Sequence, residues 1–262
     1  MNEKATRRPA PLRAVFLDVG GTIMEPNPSW EDVYTLALEE HGVSVRLEEL
    51  RDALRDAYRH GGWGFTTGFD PDEETSFRRT VELDQMALDR LGVGRMPDSF
   101  FRRLAELFME TSRWHVYPDA YRALTAIRER RLAIGAVSNW VWTLPELLHA
   151  LDLMQYLDFV AASARIGFEK PHRAIFDWAV AEAGVRPAEA LHVGDHLDAD
   201  VSGALEAGLS AVLLDRTGRY AETATTAVPE GVPVIATLDE LIPLIDERLA
   251  AERLAEPEEA AS

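Results

Sequence analysis

Residues 14–22 read Ala14-Val15-Phe16-Leu17-Asp18-Val19-Gly20-Gly21-Thr22: four apolar residues, an aspartate, and a turn with two adjacent glycines. An apolar run this short, bounded by glycine, predicts a strand buried on both faces. Strands of that kind belong to parallel sheets with helices on either side. Asp18 then stands at the carboxyl end of its strand, the edge at which open α/β sheets bind ligands.

Outward from this strand the pattern repeats. Apolar runs of strand length recur at 132–137, 159–162, 191–193, 211–214 and 234–235. Amphipathic stretches at 121–130, 145–153, 174–183 and 201–207 lie among them, the last followed by Gly208 as a C-cap. Strand and helix in alternation predict an α/β fold, a Rossmann-like doubly wound parallel sheet. The interval between the first two strands is far longer than one crossover needs, and a structureless loop of that length is improbable. Apolar stripes at 29–41, 47–58, 75–91 and 99–111 make it helical instead. The expected organisation is a discontinuous core, 1–23 plus 114–250, an inserted helical cap, 24–113, and an acidic tail at 251–262 that frays. Within the cap, the segment 60–70 spaces Trp63, Phe65 and Phe69 between glycines. Those aromatics either contact substrate or pack the cap's own core.

Composition narrows the partners. Hydrophobic residues at 47% and charged residues at 27% form an ordinary globular mixture. A formal charge of −18 repels polyanions, and no compact basic run offsets it, so nucleic acid is not an expected partner. No apolar run approaches membrane-spanning length. The polar N-terminus and the absence of cysteine lead to the expectation of a soluble, cytoplasmic chain with no membrane partner. Nothing in the sequence addresses the oligomeric state.

Polar residues recur at the same sheet edge. The second strand ends at Ser138-Asn139, and the fourth at Gly194-Asp195, followed by Asp198 and Asp200. One such residue alone is explained as a helix cap; their joint placement points to a site. Basic residues number 27, and all but Lys4 and Lys170 are arginine. A lone internal lysine in an arginine-using chain indicates a need for a compact ammonium rather than a planar fork.

These motifs, in this order around a helical insertion, resemble the haloacid dehalogenase superfamily over almost the whole chain. Its first motif corresponds to Asp18-Val19-Gly20-Gly21-Thr22, its second to Ser138, its third to Lys170 in Gly167-Phe168-Glu169-Lys170-Pro171, and its fourth to Gly194-Asp195 with Asp200. Tyr34 and His41-Gly42 early in the cap add a likeness to the REG-2-like branch of helical-cap members. The resemblance implies strand order 3-2-1-4-5 and hydrolysis of a small phosphorylated metabolite. Asp18 is then the nucleophile, with Ser138 and Lys170 as its catalytic partners. Gly21, Thr22 and Asn139 contact substrate. Mg²⁺ is held by Asp18, the Gly20 carbonyl, Asp195 and Asp200, the last as ligand or supporting partner. Attack by a carboxylate on a phosphate dianion meets repulsion that a hard cation relieves, and passage through an aspartyl-phosphate divides one hard step into two.

The chain departs from the family at Gly20, where its phosphatases carry a second aspartate as general acid and base. General acid–base assistance contributes about 10²–10⁴-fold. Its loss favours aryl or acyl phosphates over alkyl phosphates, and restoring it by Gly20→Asp is expected to raise alkyl phosphate turnover. His196 and His60 are candidate substitute donors; His41, His115, His172 and His192 read as structural. Two other functions stay open: a nearly inactive relative that binds a phospho-ligand or a protein, and a 2-haloacid dehalogenase, against which Asp195 and Asp200 count. A cap without lysine excludes Schiff-base phosphonate cleavage.

Overall fold

The computed structural model describes residues 10–60, 68–222 and 228–255, so Lys4, Trp63 and Phe65 lie outside the described residues, as does the side chain of His60. A central sheet is built from β1 (Ala14–Leu17), β4 (Ala133–Ser138), β5 (Phe159–Ala162), β6 (Ala190–Gly194), β7 (Ser210–Leu214) and β8 (Val234–Ile235). A second, two-stranded ribbon pairs β2 (Met24–Pro26) with β3 (Trp114–Val116) in antiparallel fashion. In the main sheet the order is β5-β4-β1-β6-β7-β8, every pairing parallel. Counting only those strands, this is 3-2-1-4-5-6, the expected order with one edge strand added.

The winding reverses at β1, which pairs with β4 on one side and β6 on the other. Leu17 is level with Ala136 and Val193, so the residues just beyond them, Asp18, Ser138 and Asp195, emerge together at the carboxyl edge. Alternation along β1 sends Val15 and Leu17 into one core cluster, with Leu124, Ile127 and Leu147, and Ala14 and Phe16 into another, with Ile175, Phe176 and Ala179. All four strand residues are fully buried, as a parallel strand sandwiched by helices requires.

Between β2 and β3 lie four helices: α1 (Trp30–Glu40), α2 (Leu47–His60), α3 (Glu73–Arg90) and α4 (Asp98–Met109). The Ser29 side chain accepts from the Asp32 amide at 3.2 Å and caps α1; Asp72 accepts from the Thr75 amide at 2.9 Å and caps α3. The four helices share a core of their own that includes Val33, Leu38, Leu50, Leu88, Phe100 and Leu107. Phe69, just before α3, donates its amide to the Gly167 carbonyl at 2.9 Å and so ties this layer to the loop carrying Lys170.

Three features differ from expectation. The 24–26/114–116 ribbon has no sequence signal, because three residues a side carry no periodicity. The stretch 201–207 begins as a π-helical turn, Leu197–Ser202, and becomes α-helical only at Gly203–Glu206. The terminal helix, Leu241–Ala255, runs into the segment expected to fray, and Glu252 accepts the Leu12 amide there. Among the described residues, no helix is long and apolar enough to cross a membrane.

Candidate active site

Asp18 is 7% exposed at the end of β1, where its amide donates to the Val193 carbonyl at 2.9 Å. Its Oδ1 accepts two bonds of 2.7 Å each, from the Ser138 hydroxyl and from Lys170 Nζ. No hydrogen bond among the described residues engages Oδ2. Lys170, only 2% exposed, bridges from Asp18 to Asp200 Oδ1 at 2.5 Å. Asp200 also meets His192 Nε2 at 2.9 Å and accepts the His196 amide on Oδ2 at 2.9 Å.

The charge balance of this group follows from its partners. Burial lowers the affinity of Lys170 for its proton, but the facing Asp18 and Asp200 carboxylates outweigh burial and raise its pKa. Burial pushes the Asp200 carboxyl up, yet the Lys170 ammonium and the His192 bond win and hold it below the usual range. His192 is lowered by burial more than Asp200 raises it, so the imidazole is neutral and its Nε2–H donates.

Asp18, Asp195 and Asp200 bring one carboxylate oxygen each within 4.8 Å of one another. Burial, then the Asp18 and Asp200 charges, push the Asp195 carboxyl up to about 7. Such crowding of hard oxygen donors fits a divalent cation, which removes the repulsion. Gly21 in the left-handed region, at φ +74°, lets the turn after Asp18 pass Asp195: a Cβ there would stand 3.0 Å from Asp195 Oδ2. A Cβ at Gly194 would overlap the Asp200 carboxylate at 2.2 Å, which is why the fourth-strand motif carries glycine.

Two residues expected to contact substrate, Asn139 and Thr22, have these surroundings. Asn139 donates from Nδ2 to the Lys170 carbonyl at 2.8 Å and accepts the Lys170 amide on Oδ1 at 2.7 Å, so its amide holds the lysine loop in place. Thr22 is fully buried, its backbone carbonyl accepts from Arg216 at 2.9 Å, and its hydroxyl has no hydrogen-bond partner among the described residues. His196 is exposed and its Nδ1 accepts the Ala199 amide at 3.2 Å, capping the π-helical turn.

His192 reads as structural in the sequence, and three further residues, Arg219, Tyr220 and Trp140, carry no reading there. His192 was signalled by being polar inside an apolar strand. Arg219 donates to Asp195 Oδ2 at 3.1 Å and also to its carbonyl, which Tyr220 reaches through its hydroxyl at 3.2 Å; neither stands near a motif. Trp140, two residues after Ser138, lies against Gly20: a Cβ at Gly20 would be 3.1 Å from its ring. Space beside the turn after Asp18 is therefore bordered by an indole.

A doubly wound sheet that gathers a buried lysine and three carboxylates at its carboxyl edge defines the class: an α/β protein with one charged cluster at its winding point. The haloacid dehalogenase-like hydrolase family model matches residues 12–208, and the chain belongs to that family. It is 38% identical over 218 residues, 80% of this chain and 86% of the other, to a glyceraldehyde 3-phosphate phosphatase of Methanopyrus kandleri. It is 28% identical over 240 residues, 90% of this chain and 94% of the other, to the haloacid dehalogenase-like hydrolase domain-containing protein 3 of Bos taurus. The fold superposes on the L-2-haloacid dehalogenase of Xanthobacter autotrophicus with a TM-score of 0.69, at 21% identity, covering 90% of this chain and 98% of that one.

Proposed function

We propose that this hydrolase removes phosphate from a small phosphorylated metabolite through an aspartyl-phosphate on Asp18, with Mg²⁺ as cofactor. The observation that carries the reading is the asymmetry of Asp18: Ser138 and Lys170 both hold Oδ1, leaving Oδ2 as the attacking oxygen. A phosphatase among the relatives supports the choice of phosphorus over carbon.

Asp18 Oδ2 attacks phosphorus, a bond forms between them, and the ester oxygen departs with its electron pair. Water then attacks the phosphoryl group, the Asp18–phosphorus bond breaks, and inorganic phosphate leaves. Lys170 offsets charge on Asp18 and on the transferring oxygens, and Ser138 orients the nucleophile. Asp18 and Asp195 would hold the cation, with the Gly20 carbonyl as the resemblance implies. Bound there, the cation neutralises the phosphate dianion. Asp200 has both oxygens engaged and acts as the positioning partner of Lys170. Helices α1–α4 serve as the cap that covers the cleft, with the β2–β3 ribbon as its stem.

A panel of phosphate esters, assayed with Mg²⁺ and with a chelator, tests this beside Asp18→Asn. Turnover is expected only with Mg²⁺ and only with Asp18 intact, and rapid acid quench should trap phosphate on the protein. A panel without Asp18-dependent turnover, but with a phospho-ligand retained, would instead favour the binding protein that Gly20 keeps in view.

A further inference from the structure

Gly20 marks more than an absent carboxylate. A Cβ built there would lie 3.1 Å from the Trp140 ring and 3.9 Å from the Trp30 ring, so two indoles converge on the space beside the nucleophile turn. Their placement is anchored. The Trp140 amide donates to the buried Ser163 hydroxyl oxygen at 3.1 Å, and that hydroxyl donates back to the Trp140 carbonyl at 3.3 Å. Trp140 and Trp30 have ring centroids 5.6 Å apart, and Trp114 stands 5.5 Å from each. Phe108 of α4 extends the wall at 5.3 Å from Trp30. Trp114 is buried behind, whereas Trp30 keeps 42% of its surface exposed and Trp140 is half-buried.

We infer that Trp30 and Trp140 form the leaving-group subsite and that the substrate class is a phosphomonoester of a phenol, an inference that rests on the phosphatase reading above. Two separate features meet in that class. Gly20 leaves the ester oxygen without a proton donor at that position, and a phenolic oxygen leaves as an anion far more readily than an alcohol. An indole wall favours a flat, weakly hydrated partner in offset or edge-to-face contact. Acyl phosphates satisfy the first condition only; sugar phosphates satisfy neither. In the step, the Asp18–phosphorus bond forms as the phosphorus–aryl oxygen bond breaks. The phenolate takes a proton from solvent, and water releases phosphate from Asp18, so phenyl phosphate and water give phenol and phosphate.

The test measures kcat and KM with Mg²⁺ for phenyl phosphate, acetyl phosphate and glycerol phosphate, in the full chain and in Asp18→Asn, Trp140→Leu, Trp30→Leu and Trp140→Phe. The expected result is a phenyl-to-acetyl ratio of kcat/KM that falls about tenfold in Trp140→Leu, through KM, and less in Trp30→Leu. Trp140→Phe, which keeps a ring, should retain most of the ratio. A ratio unchanged in both leucine variants overturns the subsite, as does a full chain that prefers glycerol phosphate. If Trp140→Leu does not fold, Trp30→Leu at its more exposed position decides. Absence of Asp18-dependent turnover on all three esters overturns the phosphatase reading with it; Asp18-dependent turnover with a flat ratio removes the subsite alone.

Discussion

Asp200 at the sheet edge and Asp84 in the helical layer are each 1% exposed, yet their surroundings move them in opposite directions. Asp84 accepts from the Tyr34 hydroxyl at 2.6 Å and the Tyr58 hydroxyl at 2.8 Å. Burial raises its carboxyl to about 6, and the two hydroxyls offset only part of that. At Asp200 burial pushes the same way, but the Lys170 ammonium reverses it. Glu169, beside Lys170 in the chain, is a third case: buried, with neither oxygen hydrogen-bonded among the described residues, and raised by burial to about 9. Neutral dipoles leave a buried carboxylate near its titration point, whereas a full opposite charge keeps it ionised. The charged solution stands in the cluster at the sheet edge, and the dipolar one inside the helical layer.

Lys170→Met attacks this contrast most directly. It leaves Asp18 and Asp200 buried without their cation, and should cost ~3–5 kcal/mol in urea unfolding together with nearly all turnover. A variant that melts with the native chain would remove the claim that Lys170 holds the group together.

Asp84→Asn comes next, and its effect depends on pH. Because the folded-state pKa lies above the unfolded value of 3.8, the folded chain holds this proton more tightly between 3.8 and about 6. The contribution to stability is therefore largest below that window and is lost as pH rises through it. Relative to the native chain, Asp84→Asn should gain ~2.4 kcal/mol between pH 4 and 7, read from paired denaturation curves. Parallel curves would show that Asp84 titrates normally.

Tyr34→Phe removes one donor from the same carboxylate and should cost ~1.5–3 kcal/mol, more at pH 8 than at pH 5, since only the ionised form loses a charge-assisted bond. The smallest effect belongs to His192→Leu. Asp200 keeps Lys170 and the His196 amide, so the loss should be about 1 kcal/mol by the same measurement.

The structure also changes one expectation. Gly20→Asp alone was expected to raise alkyl phosphate turnover, but its Cβ would meet the Trp140 ring at 3.1 Å. The gain should be larger when Trp140 is reduced as well, as in Gly20→Asp with Trp140→Leu.

What could be read without coordinates was local or followed from one rule. Apolar runs and stripes located the six sheet strands and helices α1–α4 because burial imposes periods of two and 3.6 on any chain that forms them. The rule that ligands gather at the carboxyl edge of a parallel sheet then selected Asp18, Ser138 and Asp195 from strand ends alone. The single internal lysine marked Lys170.

The remainder depended on which side chains meet across the chain. Ser138 and Lys170 reach Asp18 over 120 and 152 residues, and only the strand order makes them converge on one oxygen. Asn139 could not be seen to clasp the Lys170 backbone, nor His192 to meet Asp200, because hydrogen-bond partners follow from side-chain direction rather than residue type. Gly20 shows the division best. Its lack of a side chain was plain in the sequence, but the Trp140 and Trp30 rings that border its place are supplied by the loop after β4 and by α1, brought together only by folding.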